Sequence, residues 1–146
     1  MRVEIVEDPA FSETVVRIGC ARLDQEVADL VARLRIIDRT VVGTSDGATY
    51  VVGASEVRFV ESVDRRCFAY TADQVLESRV PLAEFEERLG CVGFVRASRS
   101  CIMSLSHVTA LKPDVNGRLR AVLDTGEELV VSRGYVKPLK RALGME

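Results

Sequence analysis

Residues 94–105 read Phe94-Val95-Arg96-Ala97-Ser98-Arg99-Ser100-Cys101-Ile102-Met103-Ser104-Leu105. Two arginines stand beside two serines, with apolar residues between them. Phe94 to Ser98 alternates as a half-buried strand does. Further along, Val131-Ser132-Arg133-Gly134-Tyr135-Val136-Lys137 again sets serine beside arginine, and Leu139-Lys140-Arg141 follows. Arginine offers a planar fork that grips phosphate or guanine bidentately, and a serine hydroxyl is a short donor. On residue types alone, these arginines would serve equally well to solvate strand edges. The order of the surrounding features has to decide.

Upstream of this stretch the chain is a series of short strands. Arg39 to Thr44 and Thr49 to Val52 flank the turn Ser45-Asp46-Gly47, a hairpin signal. Glu56 to Glu61 alternates polar and apolar. Asp64-Arg65-Arg66 is a charged turn, after which Cys67 to Thr71 and Gln74 to Ser78 resume strand character. Pro81 opens a short helix in which Leu82, Phe85 and Leu89 face the core, and Gly90 suits its C-terminal stop. Glu84, Glu86 and Glu87 read as its solvated face. Downstream, Val108 to Lys112, Leu119 to Leu123 and Glu128 to Val131 are strands, with turns at Asn116-Gly117 and Thr125-Gly126. Arg133 to Leu143 is a helix in which Pro138 ends the first turn or introduces a kink.

The front of the chain reads as a small ββα unit. Val3 to Val6 and Val15 to Ile18 are strand candidates around an Asp8-Pro9 turn. Leu23, Val27, Leu30, Val31 and Leu34 then recur at helical spacing, predicting an amphipathic helix from Leu23 to Arg35 with an Asp29–Arg33 pair. The fold class expected is mainly β with α, that is α+β.

The 146 residues are close to one ordinary domain, with enough apolar content, 47%, to exclude global disorder. The longest apolar runs are strand-length, and no signal peptide is evident. The net charge of −2 disfavours a nucleic-acid binder in bulk, but it is unevenly divided. From Phe94 onward nine basic residues stand against five acidic ones, so that part carries +4 and the first 93 residues −6. Such asymmetry suggests different partners for the two parts. The four cysteines, Cys20, Cys67, Cys91 and Cys101, form no C-x-x-C pair. They are expected to be free, mostly buried thiols in a reducing cytosol. His107 is the only histidine and is expected to be structural. No metal spacing, phosphate-cradling loop or convergent nucleophile and base is present, so the sequence points away from an enzyme, a cofactor and a small-molecule substrate.

The order of features resembles the LytTR family of bacterial DNA-binding domains. That family has an acidic residue near the end of an early strand, a turn, a short helix, and then Phe-x-Arg-x-His-Arg-Ser. A hairpin follows, and Ser-Arg-x-Tyr with a helix closes the pattern. Here Glu61-Ser62 ends the strand, Leu82 to Leu89 supplies the helix, and Phe94 to Ser100 supplies the signature. Asn116-Gly117 marks the hairpin and Ser132-Arg133-Gly134-Tyr135 the close. Ser98 replaces the usual histidine and Ser104 a common asparagine. The resemblance covers about Arg39 to Leu143.

The resemblance implies an elongated multi-sheet β fold with short helices that reaches DNA with loops. It divides the chain into an N-terminal extension, residues 1–38, for dimerisation or partner contact, and a LytTR-like domain, residues 39–146. The implied DNA contacts are Arg99, Arg133 and the loop carrying Arg65, Arg66 and Cys67. Ser98, Arg96, Lys137 and Lys140 are the remaining candidates from the basic stretches. The implied protein is a cytoplasmic transcriptional regulator of the stand-alone type, since fewer than forty residues precede Arg39 and no receiver domain fits there. It would bind short direct repeats in double-stranded DNA as two copies, and a co-encoded small membrane protein would restrain it. The alternative is a protein-interaction module without DNA binding.

Overall fold

The computed structural model describes every residue except Glu13 and Glu146, and for residues 35–38 the backbone alone. The chain begins without regular structure and enters helix α1 (Gln25–Asp38). Strands β1 (Thr40–Ser45), β2 (Ala48–Gly53), β3 (Phe59–Val63), β4 (Arg66–Tyr70) and β5 (Val75–Ser78) follow, then helix α2 (Leu82–Leu89). Next come β6 (Phe94–Ser98), β7 (Cys101–Ser104), β8 (Val108–Pro113), β9 (Leu119–Leu123) and β10 (Glu128–Val131), and helix α3 (Arg133–Ala142) closes the chain. Most residues in regular structure lie in strands, so the expected α+β class holds.

Two antiparallel sheets form. Seven strands run in the order β2-β1-β5-β4-β3-β7-β6, and three in the order β10-β9-β8. Side-chain alternation along the large sheet feeds two cores. Val60, Cys67, Ala69, Leu76, Phe94 and Ile102 point to one face and pack with Leu82, Phe85 and Leu89 of α2. Phe59, Ala97, Cys101 and Met103 point to the other, against Ala121, Leu123, Val131 and Leu139 of the small sheet and α3. The middle of the large sheet is therefore covered on both sides, which is why all four residues of β7 are buried. Full burial of a side chain such as Leu76 or Ile102 contributes about 1.5–3 kcal/mol.

Several expectations are corrected by local chemistry. The two N-terminal strands do not form. The Asp8 turn is present, with Asp8 accepting from the amides of Ala10 and Phe11. The flanking segments, however, meet no partner strand, and Ile5 is 91% exposed. A lone strand leaves its backbone groups unpaired and gains no burial. Helix α1 starts at Gln25 because the Asp24 carboxylate accepts from the Val27 amide at 3.0 Å, an N-cap that leaves Leu23 outside. Within it Asp29 accepts from the Gln25 side chain at 2.8 Å in place of the expected pair with Arg33. The expected strand from Glu56 begins only at Phe59. Ala54–Glu56 is a 3-10 turn closed by the Glu56 carboxylate, which accepts from the Gly53 amide at 2.9 Å. Gly90 follows α2 as its C-cap but stays right-handed, so a 3-10 turn continues to Val92, and Gly93 with φ of 91° is the left-handed residue that ends the run. Pro81 is the residue capping α2, one position before the helix proper. Helix α3 continues through Pro138. The hydrogen bond that proline cannot donate would have gone to the carbonyl of Gly134, in the exposed first turn.

Candidate nucleic-acid interface

The signature stretch folds as two strands, β6 and β7, with Arg99 and Ser100 at the tip between them. Register passes from Arg96↔Ile102 to Ser98↔Cys101, so Ala97 is an extra residue, a bulge. Four consecutive carbonyls around this tip are each taken by a donor. The Ser132 amide donates to Ala97 O at 2.8 Å, and the Ser62 amide to Ser100 O at 2.8 Å. The Arg96 Nη1 donates to Arg99 O at 2.6 Å and to Ser98 O at 3.4 Å. Ser98 Oγ accepts from the Ser100 amide at 3.3 Å. The backbone of the tip is thus braced on every side, while the Arg99 side chain is exposed and makes no ion pair with a described residue.

These bonds also join the other arginine loops to the tip. Ser62 leads into the hairpin between β3 and β4. There Val63 pairs with Arg66 around a two-residue turn in which Asp64 and Arg65 have φ of 49° and 66°. Two left-handed residues match the twist of an antiparallel pair, a role that asparagine and glycine usually fill. Arg65 accepts that backbone strain at the exposed apex. Arg66 lies back along β4 and pairs with Glu77 at 3.1 Å. Ser132 precedes Arg133, the first residue of α3. The Arg133 side chain is exposed and lies over Gly117, where a Cβ would meet its Cδ at 3.1 Å. Because Val131 pairs with Leu119, the β8–β9 hairpin ends beside the start of α3. Lys137 and Lys140 follow Arg133 at one and two turns of α3, Lys137 exposed and Lys140 half-buried.

Among the nine candidates, Arg99, Arg133, Arg65, Arg66 and Lys137 therefore present exposed basic side chains, and of these Arg66 is paired with Glu77. Cys67 is a correction: it is 2% exposed and belongs to the core, because the residue after the outward-facing Arg66 points to the other face of the strand. Burial pushes its thiol up, against a hydrogen bond from Ser62 and the charge of Arg96. Cys101 is buried as well and is pushed up to about 12, chiefly by burial and then by the Glu61 carboxylate. Cys20 and Cys91 are exposed, so half of the thiols, not most, are buried. Ser98 shapes the turn. Arg96 is paired with Glu86 at 2.8 Å.

The β8–β9 hairpin, marked in the sequence by Asn116-Gly117, is not among the candidate contacts, yet it lies beside Arg133. Asp114 there lies 3.7 Å from Arg118 and 3.6 Å from Arg120, and Asn116 sits at the apex with φ of 58°. The Asn-Gly dipeptide announced the turn. Its proximity to Arg133 comes from strand pairing and could not be read locally.

At the opposite end of the strands His107 is structural. Its Nδ1 lies 2.7 Å from Asp124 Oδ2 and its Nε2 2.6 Å from Ser55 O. Arg58 Nε donates to Asp124 Oδ1 at 3.2 Å. The His107 hydrogen bond, with help from Arg58, holds the Asp124 carboxyl below its ordinary value. This cluster clamps the small sheet to the large one.

The fold is mainly β, with three helices separated along the chain by strands, and backbone bonds gather the loops bearing Arg65, Arg99 and Arg133 at one end. The family model for the LytTr DNA-binding domain matches residues 47–144, and the chain belongs to that family. A solved LytTr DNA-binding domain from Bacillus cereus superposes with a TM-score of 0.68 at 27% identity, over 72% of this chain and 96% of that one. The sensory transduction protein LytT of Enterococcus faecalis is 28% identical over 96 residues, which are 66% of this chain and 40% of LytT. An uncharacterized HTH-type transcriptional regulator of Staphylococcus aureus is 23% identical over 147 aligned positions, covering 99% of both chains. No helix among the described residues is long and apolar enough to cross a membrane.

Proposed function

We propose that the chain is a DNA-binding transcriptional regulator that reads duplex DNA in a sequence-specific way with loops bearing Arg99, Arg133 and Arg65. The observation that carries this reading is the pair of backbone bonds, Ser132 to Ala97 and Ser62 to Ser100, which gather these loops at one end. Lys137 and Lys140 add phosphate contacts along α3. The family membership and the regulator-named relatives support the same reading. Two copies act on a direct-repeat promoter site in the cytoplasm, and a co-encoded small membrane protein is the proposed restraint. Residues 1–38 serve dimerisation or partner contact. Their exposed apolar side chains, Val3, Ile5, Val16 and Leu23 among them, support that role. They lie outside the matched family region, yet the Staphylococcus relative aligns along nearly the whole chain.

The test is a mobility shift on promoter fragments over a salt series. With about four to six phosphate contacts, log affinity falls with log salt at a slope of about −4 to −5. An absent or salt-insensitive shift would leave the protein-interaction module as the better reading.

A further inference from the structure

We propose that Arg96 is a positioning residue, held by Glu86 of α2, which sets the backbone from which Arg99 reaches DNA. It is not itself a DNA contact. The inference rests on the reading of Arg99 as a contact and goes beyond it by assigning the brace. Arg96 Nε donates to Glu86 Oε2 at 2.8 Å, and its Nη1 spans Arg99 O at 2.6 Å and Ser98 O at 3.4 Å. Its side chain is only 20% exposed and its charge is met by the carboxylate. Its Nε and Nη1 donors are thus turned to the protein, and its partial burial sets the guanidinium toward the turn. It has the geometry to tie a helix to a turn, because its donors diverge from one rigid plane.

The turn explains the need. Register across the hairpin ends at Ser98↔Cys101, so the Arg99 carbonyl lies beyond the ladder. Left open, it would free the turn to rotate, and Arg99 would have to be ordered at the moment of binding. Arg96 reaches forward past the Ala97 bulge and closes it, with a longer bond to Ser98 O. Glu86 fixes Arg96 in turn, and Glu86 is fixed because Phe85 and Leu89 bury the other side of α2 in the core. Glu86 thus leaves the solvated face on which its neighbours Glu84 and Glu87 remain.

Two substitutions separate this role from a phosphate contact, because the two roles predict opposite signs. Arg96→Lys keeps the positive charge but cannot span the three oxygens. Glu86→Gln removes a negative charge near the DNA and weakens the brace. The probe is a duplex selected from a random library by the wild-type protein, beside a scrambled duplex of equal length, in titrations of the full chain at several salt concentrations. The expected result is that each variant binds the selected duplex about tenfold more weakly, the size of one lost charged hydrogen bond. Affinity for the scrambled duplex and the salt slope should hold, and Glu86→Gln should have little further effect once Arg99→Ala is present. A gain in affinity for Glu86→Gln, or wild-type binding by Arg96→Lys, overturns the proposal. So does a lowered melting temperature with discrimination intact, which would mark a purely structural pair. If Arg99→Ala binds as the parent does, the contact assignment has failed. Backbone order parameters at Arg99 and Ser100 then decide the brace alone: they must fall in Glu86→Gln.

Discussion

The Ser132 amide donates to the carbonyl of Ala97 over 2.8 Å, although one residue follows the small sheet and the other belongs to the large one. That bond brings the base of Arg133 alongside the base of Arg99. With the Ser62–Ser100 bond it turns three separate loops into one surface.

Arg99→Ala and Arg133→Ala are each expected to lose about 1–3 kcal/mol of binding to a selected site and to relax its sequence preference. Lys140→Ala should instead weaken all duplexes alike and reduce the salt slope by about 1. Anisotropy titrations on selected and scrambled duplexes measure both.

Gly117→Ala should affect stability and binding together. Gly117 has φ of 76°, and a Cβ there would lie 3.1 Å from Arg133 Cδ and 3.2 Å from Cγ. The backbone strain costs about 1 kcal/mol, and Arg133 must move. Gly126→Ala is the control. It has φ of 90° with nothing within 4 Å of the new carbon, at the end away from Arg133. It should lose stability in urea titrations without losing DNA affinity beyond that of the parent.

Thiol accessibility follows burial. Cys20 and Cys91 should react with a thiol reagent in the native protein, and Cys67 and Cys101 only on unfolding. Raising the pH to about 9 should not recruit Cys101, whose thiol is pushed up to about 12 and stays protonated, while Cys67 remains shielded because it is only 2% exposed. Two fast and two slow equivalents in a timed titration check this.

Asp124 gives a pH dependence with a definite sign. Its folded-state carboxyl sits below the ordinary 3.8, so its contribution is complete above that value and is lost as pH falls through the depressed one. The lead of the wild type over Asp124→Asn in urea midpoint should therefore be constant near neutrality and shrink below about pH 4. A lead that grows on acidification would contradict the clamp.

Much of the strand pattern was legible because each hairpin carries its own signal. Asp46-Gly47 and Asn116-Gly117 adopt the left-handed geometry their residue types favour. The apolar triplet Leu82, Phe85 and Leu89 predicted the buried face of α2 correctly. What failed locally was decided by partners. The Val3 and Val15 segments alternate like strands but have nothing to pair with. Cys101 to Ser104 lack alternation because both faces are covered, so β7 was not separable from β6 by pattern. Leu23 fits the helical period, yet the Asp24 cap excludes it.

The mainly β class, the turns, the family and the concentration of basic residues in the last third depend on local residue type and order, and so are legible along the chain. Which basic residues face outward depends on packing between distant elements. Arg96, three residues from Arg99, is occupied by Glu86 and two carbonyls, and Cys67, beside Arg66, is core. A side chain's partner is set by elements far away in the chain, so spacing along the chain cannot distinguish a brace from a reader.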